Sequence, residues 1–226
     1  MTSIEHVIIR NAATVIVLRN AAEVPCVLMG QRGEKAAFMP SKFVFPGGAV
    51  DSSDAEIPMA SEISEPCFSR LAEDADLGLR RALCAAAVRE LWEETGLILG
   101  CDGHWSKPVP ADWRGFANRG KLPIAAPLQF VFRAITPPGR TRRFDARFFL
   151  LDAEHIAGNL DDFSNASDEL RQLQWIPLAA ARRFDLPFIT EVVLSEVESR
   201  LPCTAPPKSV PYFKNTDGES VFIRIP

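Results

Sequence analysis

The sequence predicts a mixed α+β fold, in which a sheet of several strands packs against one dominant helix. Segments rich in β-branched and aromatic residues recur along most of the chain, as expected for strands. One long segment, 79–95, places apolar residues four apart on one face, as expected for a helix. The 226 residues suit one enlarged domain, with an insertion at about 51–78 and a carboxy-terminal helical and hairpin extension at about 178–226.

The first half of the chain alternates short strands with connections. Residues 51–66 are rich in Asp, Ser, Glu and Pro, which predicts an exposed insertion. Gly96 follows the long helical segment and is its expected carboxy-terminal cap. In order, we predict strands at 5–9, 13–18 and 24–29, a hairpin connection at 20–23, a short strand at 43–45 ended by 46–48, and helices at about 66–76 and 79–95.

The second half begins with an irregular stretch at 101–126 that holds Gly, Pro and two tryptophans. Beyond it, apolar runs again predict strands, and helices follow the last of these runs. In order, we predict strands at 129–135, 144–151 and 170–176, helices at 178–184 and 188–200, and a terminal hairpin of 212–214 with 221–224 across 215–218.

Composition limits the class of function. The formal net charge of −4 argues against nonspecific binding of nucleic acid. The cysteine count is odd, with no C-x-x-C pair, and the three histidines are scattered, which predicts reduced thiols and neither a disulfide framework nor a zinc site. We find no signal peptide and no membrane-spanning run, so the expected location is the cytoplasm.

The most informative segment is 89–97, Arg-Glu-Leu-Trp-Glu-Glu-Thr-Gly-Leu. Glu90, Glu93 and Glu94 are three and four apart, so all three can lie on one side of a helix end. Their mutual repulsion, and their position at the negative end of the helix dipole, are unfavourable unless a cation is bound. Oxygen ligands suit hard divalent cations. An acidic, solvated helix face is the alternative explanation.

This segment resembles the second half of the Nudix box, G-x5-E-x7-R-E-U-x-E-E-x-G-U, where U is a bulky aliphatic residue. Every fixed position from Arg89 to Leu97 matches, and Phe45-Pro46-Gly47-Gly48 resembles the start of the motif. The resemblance implies a Nudix-type α/β/α sandwich with a mixed β-sheet and a catalytic loop-helix-loop. It also implies hydrolysis of a diphosphate linkage with Mg²⁺ or Mn²⁺.

The box is split, which departs from the family pattern. Arg89 follows Gly48 by 41 positions (89 − 48), so roughly 27 residues are inserted. The position of the family's first glutamate, eight before Arg89, holds Arg81. Asp51, Asp54 or Glu73 could replace this glutamate only through their tertiary placement.

A split box also resembles a subgroup that includes the peroxisomal coenzyme A diphosphatase type. The segments 37–40 and 143–149 add to this likeness. The fuller coenzyme A signature has an arginine and a glycine where this chain has Ala37 and Ser41. Coenzyme A or its esters are therefore one expected substrate class, and ADP-ribose or NADH are the alternatives.

The resemblance assigns roles to the box residues. Glu90, Glu93 and Glu94 are expected to bind the metal, with the Gly47 carbonyl as an extra ligand, and Arg89 is expected to hold the cluster by a salt bridge. Glu90 or Glu93 could act as general base from within the cluster. Glu169, just before the strand that ends at 176, is the candidate base from outside the cluster; a surface charge is its alternative role.

Arginines offer candidate phosphate ligands, because guanidinium groups bind phosphate in a bidentate manner. Arg143 and Arg147 are the preferred residues in a basic stretch that begins at 140, and Arg32 is a further candidate. Trp105, Trp113 and Phe116 could stack on an adenine or pack in the core.

Two other classes of function remain open at this point. One is a non-catalytic Nudix-like domain that senses nucleotides, and the other is a structural or interaction module. We also expect a small-molecule nucleotide substrate and a possible homodimer. We expect neither a nucleic acid partner nor a membrane.

Overall fold

The computed structural model describes residues 7–203, 205–216 and 219–226. Its strands are β1 (Ile9–Arg19), β2 (Cys26–Arg32), β3 (Phe43–Val44), β4 (Gly47–Ala49), β5 (Gly100–Asp102), β6 (Lys121–Pro123), β7 (Gln129–Ile135), β8 (Arg143–Asp152), β9 (Leu170–Pro177), β10 (Val210–Thr216) and β11 (Glu219–Ile225). Its α-helices are α1 (Cys67–Arg70), α2 (Leu77–Thr95), α3 (Arg114–Ala117) and α4 (Phe188–Arg200). Short 3-10 helices cover Asp54–Glu56, Ala111–Trp113, Ala153–His155 and Leu178–Arg183.

Within these residues a mixed sheet of nine strands forms the centre of the fold. Seven strands follow the order β11-β10-β7-β8-β1-β2-β3, while β4 pairs with β1 and β9 pairs with β2. The β1–β8 and β7–β10 pairs are parallel, and the other pairs of this sheet are antiparallel. The β5–β6 pair forms a separate small sheet.

Each face of the large sheet is covered by a helix, so the predicted α/β/α arrangement is confirmed. One core joins α2 to alternate residues of β1, such as Val15 and Val17. The other joins α4, through Val193 and Val197, to the intervening residues, such as Ile16. This alternation follows from the two-residue period of a strand.

The helix α2 carries the candidate site, and its ends are set by local chemistry. Asp76 caps its amino terminus by accepting a hydrogen bond from the Leu79 amide at 2.8 Å. Gly96 ends it in the left-handed conformation, with φ of +74°, as predicted. The run of alanines at 85–87 is completely buried, so the helix can lie close to the sheet, and fully buried Leu83 and Leu91 contribute about 1.5–3 kcal/mol each.

Several predicted elements differ from the structure. The chain does not leave the sheet at Pro46, because Gly47 continues into β4 beside β1. The predicted helix at 66–76 shortens to α1, and the helix at 178–184 is a 3-10 helix. The insertion at 51–66 is only partly exposed, because Asp54, Ile57 and Ile63 are buried against α2 and its neighbours.

The ends of the chain support part of the prediction. The terminal hairpin is confirmed as the antiparallel pair β10–β11, while residues 217–218 of its expected turn lie outside the described residues. Residues 5–6 of the first predicted strand also lie outside them, and β1 begins only at Ile9. No helix in the described part of the chain combines the length and the apolar character that crossing a membrane requires.

Candidate active site

The β4 strand and the last turn of α2 meet at two glycines. A Cβ atom on Gly48 would lie 2.4 Å from the Glu90 Oε1 atom, so the Glu90 carboxylate rests directly on the Gly48 backbone. The Gly47 amide donates a hydrogen bond of 2.7 Å to Glu94 Oε2. A Cβ atom on Gly47 would lie 2.6 Å from the Ala13 carbonyl oxygen of β1. Any side chain at either position would clash with a neighbouring group, so both positions require glycine. The two glycines also connect β4 to the acidic turn of α2.

Arg89 lies at the centre of this turn and is almost completely buried. Its Nη1 atom donates to Glu90 Oε1 at 2.8 Å and to Glu93 Oε2 at 3.0 Å. Its Nε and Nη2 atoms each donate to the Asp54 carboxylate at 3.0 Å, and Nη2 also donates to the Ala49 carbonyl at 2.9 Å. These contacts agree with the expected salt bridge that holds the cluster.

The three box glutamates are unequally buried. Burial raises the pKa of Glu90 to about 7, although the neighbouring Arg89 charge acts in the opposite direction. Burial also raises the pKa of Glu93, which is half-buried, and it raises the pKa of Glu94 well above the usual range. Negative charges that lie close together and away from water are unfavourable. A bound cation would therefore stabilise the ionised glutamates of this turn.

The donor set fits a hard divalent cation. Glu94 Oε1 is buried without a hydrogen-bond partner among the residues described, and carboxylate oxygens are the ligands that Mg²⁺ and Mn²⁺ prefer. Glu90 and Glu93 face Arg89 in this arrangement, and no three His, Cys, Asp or Glu side chains of the described chain form a ready metal site. The metal-binding role of Glu90, Glu93, Glu94 and the Gly47 carbonyl therefore stays a prediction.

A cavity of about 550 Å³ lies near the acidic turn, since the Ser167 amide, next to the lining residue Asp168, donates a hydrogen bond of 2.8 Å to the Glu93 carbonyl. Its charged lining consists of three basic residues, Arg32, Lys35 and Arg171, and three acidic residues, Glu34, Asp168 and Glu169. The Glu169 charge contributes to the raised pKa of all three box glutamates, and the Arg32 charge acts on Glu94. The fold thus brings two predicted residues, Arg32 and Glu169, to the same cavity next to the box.

Arg143 and Arg147 lie elsewhere, and their placement differs from the predicted phosphate clamp. Arg143 is buried and donates to the carbonyl groups of Thr136 and Asn215 at 3.0 and 2.9 Å. Arg147 is 1% exposed and contacts the Asp145 carboxylate at 3.1 Å and the Asn11 side chain at 2.6 Å. Both side chains point into the protein because their strand, β8, lies in the middle of the sheet.

The aromatic residues of the irregular stretch form core contacts. Trp113 and Phe116 are buried, with ring centroids 5.3 Å apart, and Phe116 packs edge-on against Trp92 at 6.0 Å. The partly buried Trp105 donates its indole N–H to the Lys121 carbonyl at 2.9 Å. The structure therefore favours packing over adenine stacking for Trp113 and Phe116.

The structure also distinguishes the candidates for the missing box glutamate. Arg81 pairs with Glu62 on the surface at 2.8 Å. Of the three candidate replacements, Asp54 makes the two-pronged contact with Arg89, whereas the half-exposed Asp51 is 3.7 Å from Arg89. Asp54 follows Gly48 by six positions (54 − 48), which is the G-x5-E spacing of the box when it is counted forward from its glycine, whereas the count back from Arg89 reaches Arg81.

Known proteins share both sequence and fold with this chain. The chain is similar to a solved Nudix hydrolase from Alicyclobacillus acidocaldarius, with 27% identity, a TM-score of 0.60 and coverage of 84% of this chain and 91% of the other. It is also 27% identical over 178 residues to the Caenorhabditis elegans protein named "Putative nudix hydrolase 7". Both of these proteins carry the name Nudix hydrolase, and the chain is similar to them in sequence and, for the solved protein, in fold.

The similarity to the Caenorhabditis elegans relative covers 74% of this chain and 51% of the relative, so the chain spans about half the length of that protein. No protein-family model matches the chain. The similarity to Nudix hydrolases therefore rests on the solved structure and the curated relative together.

Proposed function

We propose that this protein is a Nudix hydrolase, which hydrolyses the diphosphate linkage of a nucleoside diphosphate joined to another moiety. The observation that carries the proposal is the acidic turn, where Arg89 holds Glu90 and Glu93 while Gly47 holds Glu94. The solved protein and the curated relative described above both carry the name Nudix hydrolase.

Glu90, Glu93 and Glu94, with the Gly47 carbonyl, would hold Mg²⁺ or Mn²⁺. When bound, such an ion neutralises diphosphate charge and lowers the pKa of a coordinated water. The protein's own contribution is position and charge. Arg89 fixes two carboxylates of the cluster by hydrogen bonds. Glu94 Oε1, which is buried without a hydrogen-bond partner among the described residues, supplies an oxygen ligand that is shielded from water.

The neighbouring cavity supplies the remaining groups. Arg32, Lys35 and Arg171 would act as individual phosphate ligands in a cavity that also contains the acidic residues Glu34, Asp168 and Glu169. Glu169 is exposed on the same cavity wall and has access to a water molecule, so it serves as the general base in this proposal. Arg143 and Arg147 have no substrate role in it, because both are buried among protein partners.

For the substrate, we propose coenzyme A or its esters, on the basis of the split box. Ala37 and Ser41 depart from the fuller coenzyme A signature, so ADP-ribose and NADH are the alternative substrates. A binding-only nucleotide sensor is a further alternative. Three acidic groups clustered at a helix end favour catalysis, since a binding-only domain gains nothing from this unfavourable arrangement.

A hydrolysis panel with product identification by mass spectrometry tests the proposal. Wild type, Glu94→Gln and the exposed control Glu56→Gln are incubated in Mg²⁺ with coenzyme A, acetyl-coenzyme A, ADP-ribose, NADH, diadenosine polyphosphates and nucleoside triphosphates. We expect phosphopantetheine and 3′,5′-ADP from coenzyme A with wild type and Glu56→Gln, and neither product with Glu94→Gln. Preferred turnover of ADP-ribose or NADH would support the proposed hydrolase function and contradict coenzyme A as the substrate class. No turnover in Mg²⁺ or Mn²⁺ would favour the sensor.

A further inference from the structure

The β9 strand is irregular where it pairs with β2. Met29 faces Gln174, whereas Gln31 faces Arg171. Between these pairs, two residues of β9 lie opposite one residue of β2, and this arrangement is a β-bulge. Gln172, the first of the two residues, has a φ of +52°, and the Gln174 side chain donates a hydrogen bond of 3.3 Å to its carbonyl group. A left-handed conformation is unfavourable for a residue with a side chain, so the surrounding structure must hold Gln172 in place.

The bulge changes the face of the sheet on which the β9 side chains lie. A Cβ atom on Gly30 would be 2.9 Å from Leu170 Cβ and 3.0 Å from Leu173 Cδ2, so both leucines lie on the Gly30 side. Residues three apart in a regular strand point to opposite faces. The extra residue therefore brings the buried Leu170 to the same face as Leu173. Arg171, which follows Leu170, points to the opposite face.

The same shift separates two arginines. Leu170 faces Arg32 across the strand pair, and Arg171 faces Gln31, the residue before Arg32. Without the extra residue, Arg171 would face Arg32 directly, and like charges in that position destabilise a sheet. With it, the two side chains leave the strands on opposite faces, and both residues line the cavity near the acidic turn. The Arg171 side chain is exposed and forms no ion pair within the part of the chain that the structure describes, so it is available to a ligand.

We propose that Gln172 is a positioning residue, whose bulge places Arg171 across the cavity from Arg32, so that the two arginines hold the phosphate groups of one substrate from opposite faces of the sheet. Guanidinium groups bind phosphate oxygens through charge-assisted hydrogen bonds. The cavity also contains three acidic residues, so its affinity for an anion depends on where the individual cations are placed. The inference rests on the proposed function for the identity of the ligand, while its effect on anion affinity can be measured without turnover.

The competing explanation is that the bulge only packs Leu170 against Gly30, and that Arg171 faces the cavity as a by-product. Thermal stability does not separate the two explanations, since both predict its loss when the bulge is disturbed. Affinity for a diphosphate separates them, because only the positioning role connects the backbone conformation of Gln172 to the charge of Arg171.

The experiment uses imidodiphosphate, a pyrophosphate analogue whose P–N–P bridge resists hydrolysis, and measures its binding in Mg²⁺ by isothermal titration calorimetry. Gln172→Val introduces a β-branched residue, which disfavours the left-handed conformation, whereas Gln172→Gly permits that conformation. We expect Gln172→Val and Arg171→Gln each to bind about tenfold more weakly, because each loses about one charge-assisted hydrogen bond. Gln172→Gly should bind as tightly as wild type. On the substrate that wild type hydrolyses, KM should rise by the same factor in Gln172→Val, with kcat close to the wild-type value.

Asn20→Val is the matched control, because Asn20 is also exposed and left-handed, with a φ of +57°, in the connection between β1 and β2. It should lose stability without losing affinity. The double variant Arg171→Gln/Gln172→Val should bind no more weakly than Arg171→Gln, since Gln172 acts through Arg171. Wild-type affinity in folded Gln172→Val, or a further loss of affinity in the double variant, would overturn the proposal.

An exchange of side chains tests the register if Gln172→Val does not fold. In a regular strand, residue 170 would take the face that Arg171 has in the bulged strand, and residue 171 would take the face of Gly30. The triple variant Leu170→Arg/Arg171→Leu/Gln172→Val should therefore recover both folding and affinity for imidodiphosphate. A triple variant that stays unfolded, or that folds and binds no better than Arg171→Gln, would overturn the proposal.

The same measurements separate this proposal from the proposed function. Wild type that binds imidodiphosphate and hydrolyses no member of the substrate panel would contradict the hydrolase, while weaker binding by Gln172→Val would still support the positioning role. Hydrolysis with the same KM in wild type and Gln172→Val would overturn the positioning role alone. Wild type that neither binds imidodiphosphate nor hydrolyses any substrate would overturn both.

Discussion

The Glu90 carboxylate lies so close to the Gly48 backbone that a Cβ atom at Gly48 would be 2.4 Å from its Oε1 atom and 2.5 Å from its Cδ atom. Gly48, from the first half of the split box, is therefore in direct contact with the Glu90 carboxylate, from the second half. Because this contact excludes water from Glu90, it also contributes to the burial that raises the pKa of that side chain to about 7.

Gly48→Ala should therefore disable the site more than the fold. The added methyl group forces the Glu90 carboxylate away from β4, and overpacking of this kind costs roughly 1–3 kcal/mol. We expect kcat to fall by at least about tenfold, since misplacement of catalytic groups by about 1 Å can cost about 100-fold.

Gly78→Ala is the matched control, because a Cβ atom there meets only the Asp76 carboxylate at 3.4 Å, in the first turn of α2. It should retain full activity and gain up to about 1 kcal/mol of stability. Steady-state kinetics and denaturant unfolding measure both variants. Wild-type kcat in folded Gly48→Ala would show that the contact has no catalytic importance.

Arg32→Gln tests the assignment of the cavity next to the box. Arg32 lines this cavity together with Glu169, so loss of its charge should raise KM for a diphosphate substrate by about tenfold, the equivalent of one charge-assisted hydrogen bond. The unfolding free energy should change little, because the side chain lies at the edge of an open cavity. An unchanged KM with an intact fold would remove Arg32 from the substrate site.

Asp145→Asn tests the structural role of the arginines in β8 and β7. Asp145 pairs with both Arg133 and Arg147, at 2.7 and 3.1 Å, and its loss leaves two buried guanidinium groups poorly paired. We expect the unfolding free energy to fall by roughly 3–5 kcal/mol. KM should remain at the wild-type value in the folded fraction. A selective rise in KM would return Arg147 to the substrate site.

Tyr212 is the single tyrosine of the chain and therefore has an unambiguous optical titration. Burial raises its pKa to about 12, although the Arg133 guanidinium, 4.2 Å from the ring centroid, opposes the shift. In the unfolded chain the pKa is near 10. Because the folded pKa is the higher one, the stability that this group contributes is complete below about pH 10 and is lost as the pH rises towards 12.

Near-ultraviolet absorbance of tyrosinate measures this titration in native protein and in denaturant, with Tyr212→Phe as the blank. We expect ionisation of the native protein only near pH 12, together with a loss of thermal stability between pH 10 and 12. A native midpoint near pH 10 would show that Tyr212 is accessible to water.

The sequence was sufficient to predict much of the fold, because the relevant signals are local. The spacing of Leu83 and Leu91 and the cap at Gly96 predicted α2, and the β-rich runs predicted β7 and β8. The β4 strand was missed because Gly47 and Gly48 have no strand propensity, and they enter the sheet only through their pairing with β1.

The site was predicted less completely, since its remaining parts depend on tertiary contacts. Arg143 and Arg147 are four residues apart and lie on the same face of β8, but the sequence gives no indication that this face is covered. Asp54 was one of three acidic candidates because the glutamate position was counted back from Arg89, whereas the G-x5-E spacing counted forward from Gly48 leads to Asp54, the residue that contacts Arg89.

The most direct test of the central claim is hydrolysis in ¹⁸O-labelled water with Mg²⁺, comparing wild type with Glu94→Gln and following both phosphate products by mass spectrometry. We expect wild type to cleave a nucleoside diphosphate-linked substrate and to place one ¹⁸O atom on a phosphate product, whereas folded Glu94→Gln should produce neither cleavage nor label. Cleavage by Glu94→Gln at the wild-type rate, or wild-type products without label in either phosphate, would contradict it.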